Sequence, residues 1–248
     1  MAALDWLTAR PVAHRGLHDA EAGVTENMPS AFEAAIAGNY AIECDLQVTA
    51  DGEAMVHHDE VLGRLADGQG ELRTMTAADL KRVPFKATAD RMITLGELCD
   101  LIDGRVPLVV ELKSRFDGDP SLVARVTEVL RGYAGPAAAM SFDPRQVEAL
   151  RASAPELPRG LVAERWYDDP DWAGLTPAQK YALGNLLHVL RTRPQFIAYY
   201  VKDLPAVAPL AARYLLGLPL LTWTVRTAED RRRAARWASQ MIFEGFRP

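Results

Sequence analysis

The sequence predicts an α/β protein, a closed (β/α)8 TIM barrel with a small insertion after the second strand. Strand-like apolar segments alternate with helix-like segments along nearly all 248 residues, as is typical of parallel βα units. We count eight such strands, which over this length suits a closed barrel better than an open sheet. The strands are near-continuous hydrophobic runs, which indicates burial on both faces.

The predicted elements follow one another with short connections. Strands are expected at residues 10–13, 41–49, 106–113, 137–142, 160–164, 196–201, 218–225 and 241–244. Helices are expected at residues 30–37, 76–81, 94–102, 120–131, 144–152, 177–190, 204–216 and 228–238. Ser30, Thr94 and Thr227 are predicted helix N-caps, since each has an acidic residue three positions later. We expect one domain over residues 1–248, in which the irregular residues 60–91 form the insertion.

The composition excludes several classes of function. The formal net charge is −5, so the chain has no global basic field for nucleic acid or an anionic membrane. No apolar run reaches the roughly 18 residues of a membrane span, so we expect no stable membrane insertion. The N-terminus does not resemble a signal peptide, and the 2 cysteines form no C-x-x-C pair. We therefore expect a cytoplasmic protein with reduced thiols.

Charged residues interrupt the first three barrel strands near their carboxyl ends. Glu43 and Asp45 lie two positions apart, so their side chains share one face of a strand. Glu111 and Lys113 repeat this spacing on the next barrel strand, while Arg15 follows the first. Because the carboxyl ends of barrel strands form one rim, we expect these groups to converge there. A purely structural ion network is the alternative, but buried ion pairs contribute little to stability.

These residue types suit one kind of chemistry. Carboxylate oxygens favour a hard divalent cation, Mg²⁺ or Ca²⁺, over zinc. Arginine and lysine hold phosphate oxygens. His14 and His58, at the same rim, can act as general acid and base near neutral pH. Together they indicate cleavage of a phosphodiester.

The same residues carry a resemblance to a known family. The matching elements are His14-Arg15-Gly16, Glu26-Asn27 followed by Ala31-Phe32, Glu43-x-Asp45, Thr49-x-Asp51-Gly52, His58-Asp59-Glu60, Glu111-x-Lys113, Ser141-Phe142 and Trp223-Thr224-Val225. In order and spacing they resemble glycerophosphodiester phosphodiesterases, which are similar to the phosphatidylinositol phospholipase C barrels.

The resemblance implies a role for each group. It implies that Glu43, Asp45 and Glu111 hold a metal and that His14 and His58 are the acid/base pair. It also implies that Arg15 and Lys113 bind the phosphate and that Trp223 lines the substrate cleft. It implies metal-dependent hydrolysis of a small-molecule glycerophosphodiester to glycerol 3-phosphate and an alcohol. In a related route the glycerol 2-hydroxyl attacks first, which gives a cyclic phosphate. In both routes one histidine acts as the base and the other as the acid, and either assignment fits the sequence.

Two positions depart from the family pattern. Met28 follows Glu26-Asn27 where the family commonly has threonine, and Glu244-Gly245 ends the last strand where the family commonly has Asp-Gly. We expect neither change to touch the metal ligands or the proton-transfer groups, although both could alter the choice of head group.

Two other functions remain open at this stage. One is a lysophospholipase D acting on single-chain lysophospholipids, which needs an apolar groove beside the cleft. The other is a barrel that binds a phosphodiester without cleaving it, against which the complete acid/base set argues.

Overall fold

A computed structural model describes residues 4–248. Its strands are β1 (Val12–Ala13), β2 (Ala41–Val48), β3 (Ala54–Val56), β4 (Leu108–Leu112), β5 (Ala137–Ser141), β6 (Arg159–Ala163), β7 (Phe196–Tyr200), β8 (Leu220–Val225) and β9 (Gln240–Phe243). Eight of them pair in parallel in the order β1, β9, β8, β7, β6, β5, β4, β2, and pairing of β1 with β2 closes the ring. β3 runs antiparallel beside β2 and lies outside the ring. The predicted (β/α)8 barrel is therefore confirmed.

The α-helices alternate with the barrel strands. They are α1 (Asp5–Thr8), α2 (Pro29–Ala37), α3 (Ala77–Leu80), α4 (Leu95–Ile102), α5 (Ser121–Arg131), α6 (Pro144–Ser153), α7 (Pro177–Gly184), α8 (Val189–Thr192), α9 (Val207–Tyr214) and α10 (Ala228–Trp237). Short 3₁₀ turns occupy Leu72–Thr74, Pro170–Trp172 and Val201–Asp203. The single helix predicted over residues 177–190 is wrong, because Leu186 adopts a positive φ of 54° between α7 and α8.

Two of the three predicted caps are confirmed. The Thr94 and Thr227 side chains accept hydrogen bonds from the third residue of α4 and of α10, in capping boxes. The prediction for Ser30 is wrong, because α2 begins one residue earlier with a proline at its first position. The Ser30 hydroxyl instead donates to Asp90 at 2.6 Å, and this bond ties the helix to the segment before α4.

The chain between β2 and α4 builds a small layer of its own over one side of the barrel. It includes β3, α3 and the first 3₁₀ turn. A separate hydrophobic cluster fills it, with Met55, Leu72, Leu80 and Met92 among its buried members. The described residues include no helix long and apolar enough to cross a membrane.

Side chains that point into the barrel form a cluster to which every one of the eight ring strands contributes. One layer of it consists of Val12, Ala41, Val109, Ala138, Val162, Ala198, Leu221 and Ile242. Their neighbours in sequence, such as Ile42, Cys44 and Val110, point outward and pack under the helices. Because side chains alternate along a strand, the residue two positions after each inward residue also points inward, one layer nearer the carboxyl ends. This layer carries the candidate active site.

Candidate active site

Three carboxylates form the floor of the site. Glu43, Asp45 and Glu111 each offer an oxygen within 4.8 Å of the others, and all three residues are buried. They meet because Asp45 and Glu111 are register partners in the pairing of β2 with β4. The structure thus brings together the three residues that the sequence predicts as metal ligands.

The charges in this cluster are only partly balanced. Burial, reinforced by the charges of Asp45 and Glu111, raises the pKa of Glu43 well above its usual value. Burial acts in the same direction on Asp45, but Lys113 and Arg15 outweigh it and hold the pKa of that carboxyl well below its usual range. The nearby cations therefore do not fully compensate the negative charge of ionised Glu43, and a further cation bound beside it would stabilise that charge. A divalent cation that prefers oxygen ligands fits this donor set.

The two predicted phosphate-binding cations contact carboxylates of the site. Lys113 Nζ lies 2.8 Å from Asp45 Oδ1 and 2.5 Å from Glu111 Oε1. Arg15 Nε lies 3.0 Å from Asp45 Oδ2, and its NH1 donates to Glu26 Oε1 at 2.7 Å. Both cations are partly exposed to the cavity, so they border it while also neutralising its floor.

The backbone after β1 is shaped around this cluster. Arg15 has a φ of +56°, and its amide N–H donates to Glu43 Oε2 at 3.0 Å. Gly16 follows with a φ of +81°, and a Cβ atom there would lie 2.9 Å from Ala31. Asn27 donates from Nδ2 to Asp45 Oδ2 at 2.9 Å, so a side chain near the end of the same connection also orients a floor carboxylate.

His14 is held by a carboxylate that the sequence analysis set aside. Its Nδ1 lies 2.8 Å from Glu244 Oε2, and its Nε2 lies 4.0 Å from Glu43. Burial lowers the pKa of His14 to about 4, against the opposing effect of its hydrogen bond with Glu244. Burial alone would raise the pKa of Glu244, but bonds from His14 and Arg226 lower it to about 2. The expectation that the Glu244 position touches no proton-transfer group is therefore wrong.

The alternation of side chains along β9 already indicates that Glu244 points into the barrel. Ile242 points into the barrel, so the residue two positions later faces the same interior. The side-chain period continues past the end of the strand, so it indicates the position of Glu244 where the residue types of the motif do not.

His58 has a similar carboxylate partner. Its Nδ1 lies 2.8 Å from Asp59 Oδ1, and Asp59 also accepts from Arg64. His57 instead is buried and lies edge-on to Phe85, with ring centroids 6.2 Å apart. The side chains of these two adjacent histidines thus point to opposite sides of the chain, and of the two only His58 lines the cavity.

One cavity of about 860 Å³ opens at the carboxyl ends of the barrel strands. Seven of the eight residues predicted for the site line it: His14, Arg15, Glu43, His58, Glu111, Lys113 and Trp223. Asp45 does not line it and lies beneath Arg15 and Lys113, which explains its exposed fraction of 1%.

The far side of the cavity is aromatic. Phe142 stands 5.5 Å from Trp223 and 4.8 Å from Trp172, measured between ring centroids. Tyr200 stands 5.2 Å from Trp223. The resemblance assigns Trp223 alone to the substrate cleft, although Phe142, directly after β5, and Tyr200, at the end of β7, occupy inward positions by the same alternation.

Comparison with known proteins gives a consistent result. Residues 14–246 match the model of the glycerophosphoryl diester phosphodiesterase family. A glycerophosphodiester phosphodiesterase of Caldanaerobacter subterraneus is 27% identical, over 90% of this chain and 88% of its own. A glycerophosphodiester phosphodiesterase of Bacillus subtilis is 26% identical, over 95% of this chain and 83% of its own.

Solved structures share the fold. An Oleispira antarctica phosphodiesterase, solved with the product sn-glycerol-3-phosphate, superimposes with a TM-score of 0.78 at 19% identity, over 96% of this chain and 94% of its own. A glycerophosphodiester phosphodiesterase of Thermotoga maritima gives a TM-score of 0.70 at 22% identity, over 94% of both chains. At these identities the likeness concerns the barrel itself.

Proposed function

This chain belongs to the glycerophosphoryl diester phosphodiesterase family, and on that premise we propose that it hydrolyses glycerophosphodiesters to glycerol 3-phosphate and an alcohol. One observation carries the proposal. Three clustered carboxylates, two cations and two carboxylate-bound histidines meet at a single cavity on the carboxyl rim of a barrel. Barrel enzymes have their active sites at this rim.

In this proposal a divalent cation, Mg²⁺ or Ca²⁺, is held by Glu43, Asp45 and Glu111. The raised pKa of Glu43 supports this assignment, because burial beside two other acids leaves its charge uncompensated. When bound, such a cation supplies charge neutralisation and polarisation at the phosphate oxygens. Arg15 and Lys113 would place further positive charge beside the same oxygens, from positions that already border the cavity.

His14 and His58 are proposed to move the protons. In direct hydrolysis one imidazole takes a proton from the attacking water, and the other gives a proton to the oxygen of the departing alcohol. In the cyclic route the first proton comes from the glycerol 2-hydroxyl, and water then opens the cyclic phosphate. Each ring has a carboxylate at Nδ1, so each can present Nε2 to the substrate.

The direct test is a turnover assay with detection of glycerol 3-phosphate. The purified chain is incubated with glycerophosphocholine, glycerophosphoethanolamine and glycerophosphoglycerol, with and without a chelator. We expect release of glycerol 3-phosphate that the chelator abolishes and that added Mg²⁺ or Ca²⁺ restores. Release that persists fully in chelator after dialysis would contradict the proposed metal dependence.

The same assay separates the alternatives. Faster turnover of lysophosphatidylcholine than of glycerophosphocholine would favour a lysophospholipase D. A chain that binds these diesters and cleaves none would be a binding protein. Loss of turnover with retained diester binding in His14→Ala supports the catalytic role of that histidine.

We further propose that residues 1–248 act as one catalytic domain, with residues 60–91 as its insertion, and that the protein works in the cytoplasm. Cys44 and Cys99 are both free and buried, as expected where thiols stay reduced. Fractionation of source cells with an antibody against the chain tests the location; recovery outside the cytoplasmic fraction would contradict it.

A further inference from the structure

The cavity has two chemically different halves. Inward residues on or directly after β1, β2 and β4 supply the histidine, the carboxylates and the lysine described above. The inward residues on or directly after β5, β6, β7 and β8 are Phe142, Glu164, Tyr200 and Trp223. Trp172, from the loop after β6, joins them. We call these last five residues the head-group wall.

The rings of the wall form a continuous surface. Phe142 stands between Trp172 and Trp223, at centroid distances of 4.8 and 5.5 Å, and Tyr200 extends the surface 5.2 Å beyond Trp223. Tyr167 supports it from behind, 5.1 Å from Trp172, and is only 2% exposed. Trp172 therefore packs between the rings of Phe142 and Tyr167.

The wall also carries negative charge. Glu164, Asp169 and Asp171 line the same cavity. The charged groups that act most strongly on Glu164 are the carboxylates of Asp203, Asp169 and Asp168. Burial first and these carboxylates second raise the pKa of Glu164 to about 7, although a hydrogen bond with Trp172 opposes them. This half of the cavity thus combines aromatic ring faces with carboxylates whose ionised form a neighbouring cation would stabilise.

We infer that the head-group wall selects glycerophosphodiesters whose alcohol carries a methylated ammonium group, as choline does. The inference rests on the proposed function, because it assigns the leaving alcohol of that reaction to this half of the cavity. Aromatic faces attract quaternary ammonium groups, and nearby carboxylates add to the attraction. A polyol head group carries no positive charge for the rings and carboxylates to attract, and a lipid chain would desolvate the carboxylates without a compensating charge.

The first test compares kcat/KM for glycerophosphocholine with kcat/KM for glycerophosphoglycerol. We expect a preference of at least about tenfold for the choline diester in the wild type. Trp172→Leu and Glu164→Gln should each lower this ratio several-fold. The matched control for the tryptophan lies in the same loop but not in the cavity: Trp166→Leu, at a residue that is 61% exposed. The control for the carboxylate is Glu156→Gln, at an exposed residue shortly before β6 that does not line the cavity. Both controls should keep the wild-type ratio and the wild-type activity.

The second test measures inhibition by choline and by 3,3-dimethylbutan-1-ol, its uncharged isostere. Choline should inhibit more strongly than the isostere, and Glu164→Gln should remove most of that advantage. Circular dichroism of each variant establishes that it is folded. Binding of choline to the wild type by calorimetry gives a readout that does not depend on turnover.

The outcomes separate the two proposals. A wild type that cleaves no glycerophosphodiester overturns the proposed function. A wild type that cleaves both diesters equally well leaves that function in place and overturns the head-group inference. The inference is also overturned if the isostere inhibits as strongly as choline, or if Trp166→Leu shifts the ratio as much as Trp172→Leu.

Discussion

The His14 ring is bound through Nδ1 to Glu244, at 2.8 Å, across 230 residues of sequence. Hydrogen bonds from His14 and Arg226 keep the pKa of Glu244 at about 2 despite its burial, so the carboxylate is ionised and can only accept. Nδ1 must then carry the proton, which leaves Nε2 of neutral His14 unprotonated on the side of Glu43. Glu244 is thus a positioning residue that sets the tautomer of a proposed catalytic base or acid.

Glu244→Gln should therefore impair turnover without preventing substrate binding. The amide can offer either a donor or an acceptor to His14, so the reactive tautomer is no longer enforced. We expect kcat to fall about 10- to 100-fold while KM changes little. Steady-state kinetics across pH 5 to 9 measures both constants, and Glu244→Asp should restore part of the lost kcat. A fall in thermal stability with unchanged kcat would indicate a purely structural role.

Glu43→Gln should weaken binding of the divalent cation. The substitution keeps the shape of the side chain but removes the charge that burial leaves uncompensated. We expect the affinity measured by calorimetry to fall by more than about tenfold, with partial recovery of activity at high metal concentration. Glu33→Gln, on the exposed face of α2, is the matched control and should bind the cation as the wild type does. Unchanged affinity in Glu43→Gln would remove Glu43 from the ligand set.

Lys113→Met should lower both stability and activity. Lys113 pairs with Asp45 and Glu111, and its removal leaves two buried carboxylates without this partner. Breaking such a pair costs about 3–5 kcal/mol in the free energy of unfolding. Added Mg²⁺ should restore more stability to this variant than to the wild type, and KM should rise as kcat falls. Urea titrations with and without Mg²⁺ measure the first effect.

The exposed Lys202 provides the control for that experiment. Lys202→Met should leave stability and kinetics at wild-type values. Wild-type kinetics in Lys113→Met would place that lysine outside the site.

The protein should lose stability as the pH falls below about 6.5, in part through His57. Burial lowers the pKa of His57 to about 4, so in the window between this value and 6.5 the unfolded chain binds a proton that the folded chain does not. Stability from this group is therefore present above pH 6.5 and is lost as the pH falls toward 4. Between pH 7 and 5 the expected loss is about 2 kcal/mol.

The measurement is the free energy of unfolding at pH 7 and pH 5, for the wild type and for His57→Gln. The variant should show the smaller decrease, because glutamine does not titrate. Burial also lowers the pKa of His14, so His14 adds to the loss of stability at low pH in the wild type and in His57→Gln alike. Equal decreases in the two proteins would show that His57 is not responsible.

Much of the active site could be predicted because it follows from local rules. The alternation of side chains along a strand placed Glu43 beside Asp45 and Glu111 beside Lys113, and both pairs lie on inward faces in the structure. Helix caps at Thr94 and Thr227 depend on contacts three residues apart, so they too were predictable. Ser30 was misjudged because its partner, Asp90, lies 60 residues away.

The sequence by itself determined the barrel, the alternation of its strands and the set of acids, histidines and cations at its rim. Those properties depend on hydrophobic periodicity and on spacing within single strands. Only the tertiary structure decided that Glu244 binds His14, that Lys113 also contacts Asp45 on the neighbouring strand, and that Phe142 meets Trp172. These contacts depend on closure of the ring and on the path of its loops, which bring together residues whose separation along the chain carries no information about their distance.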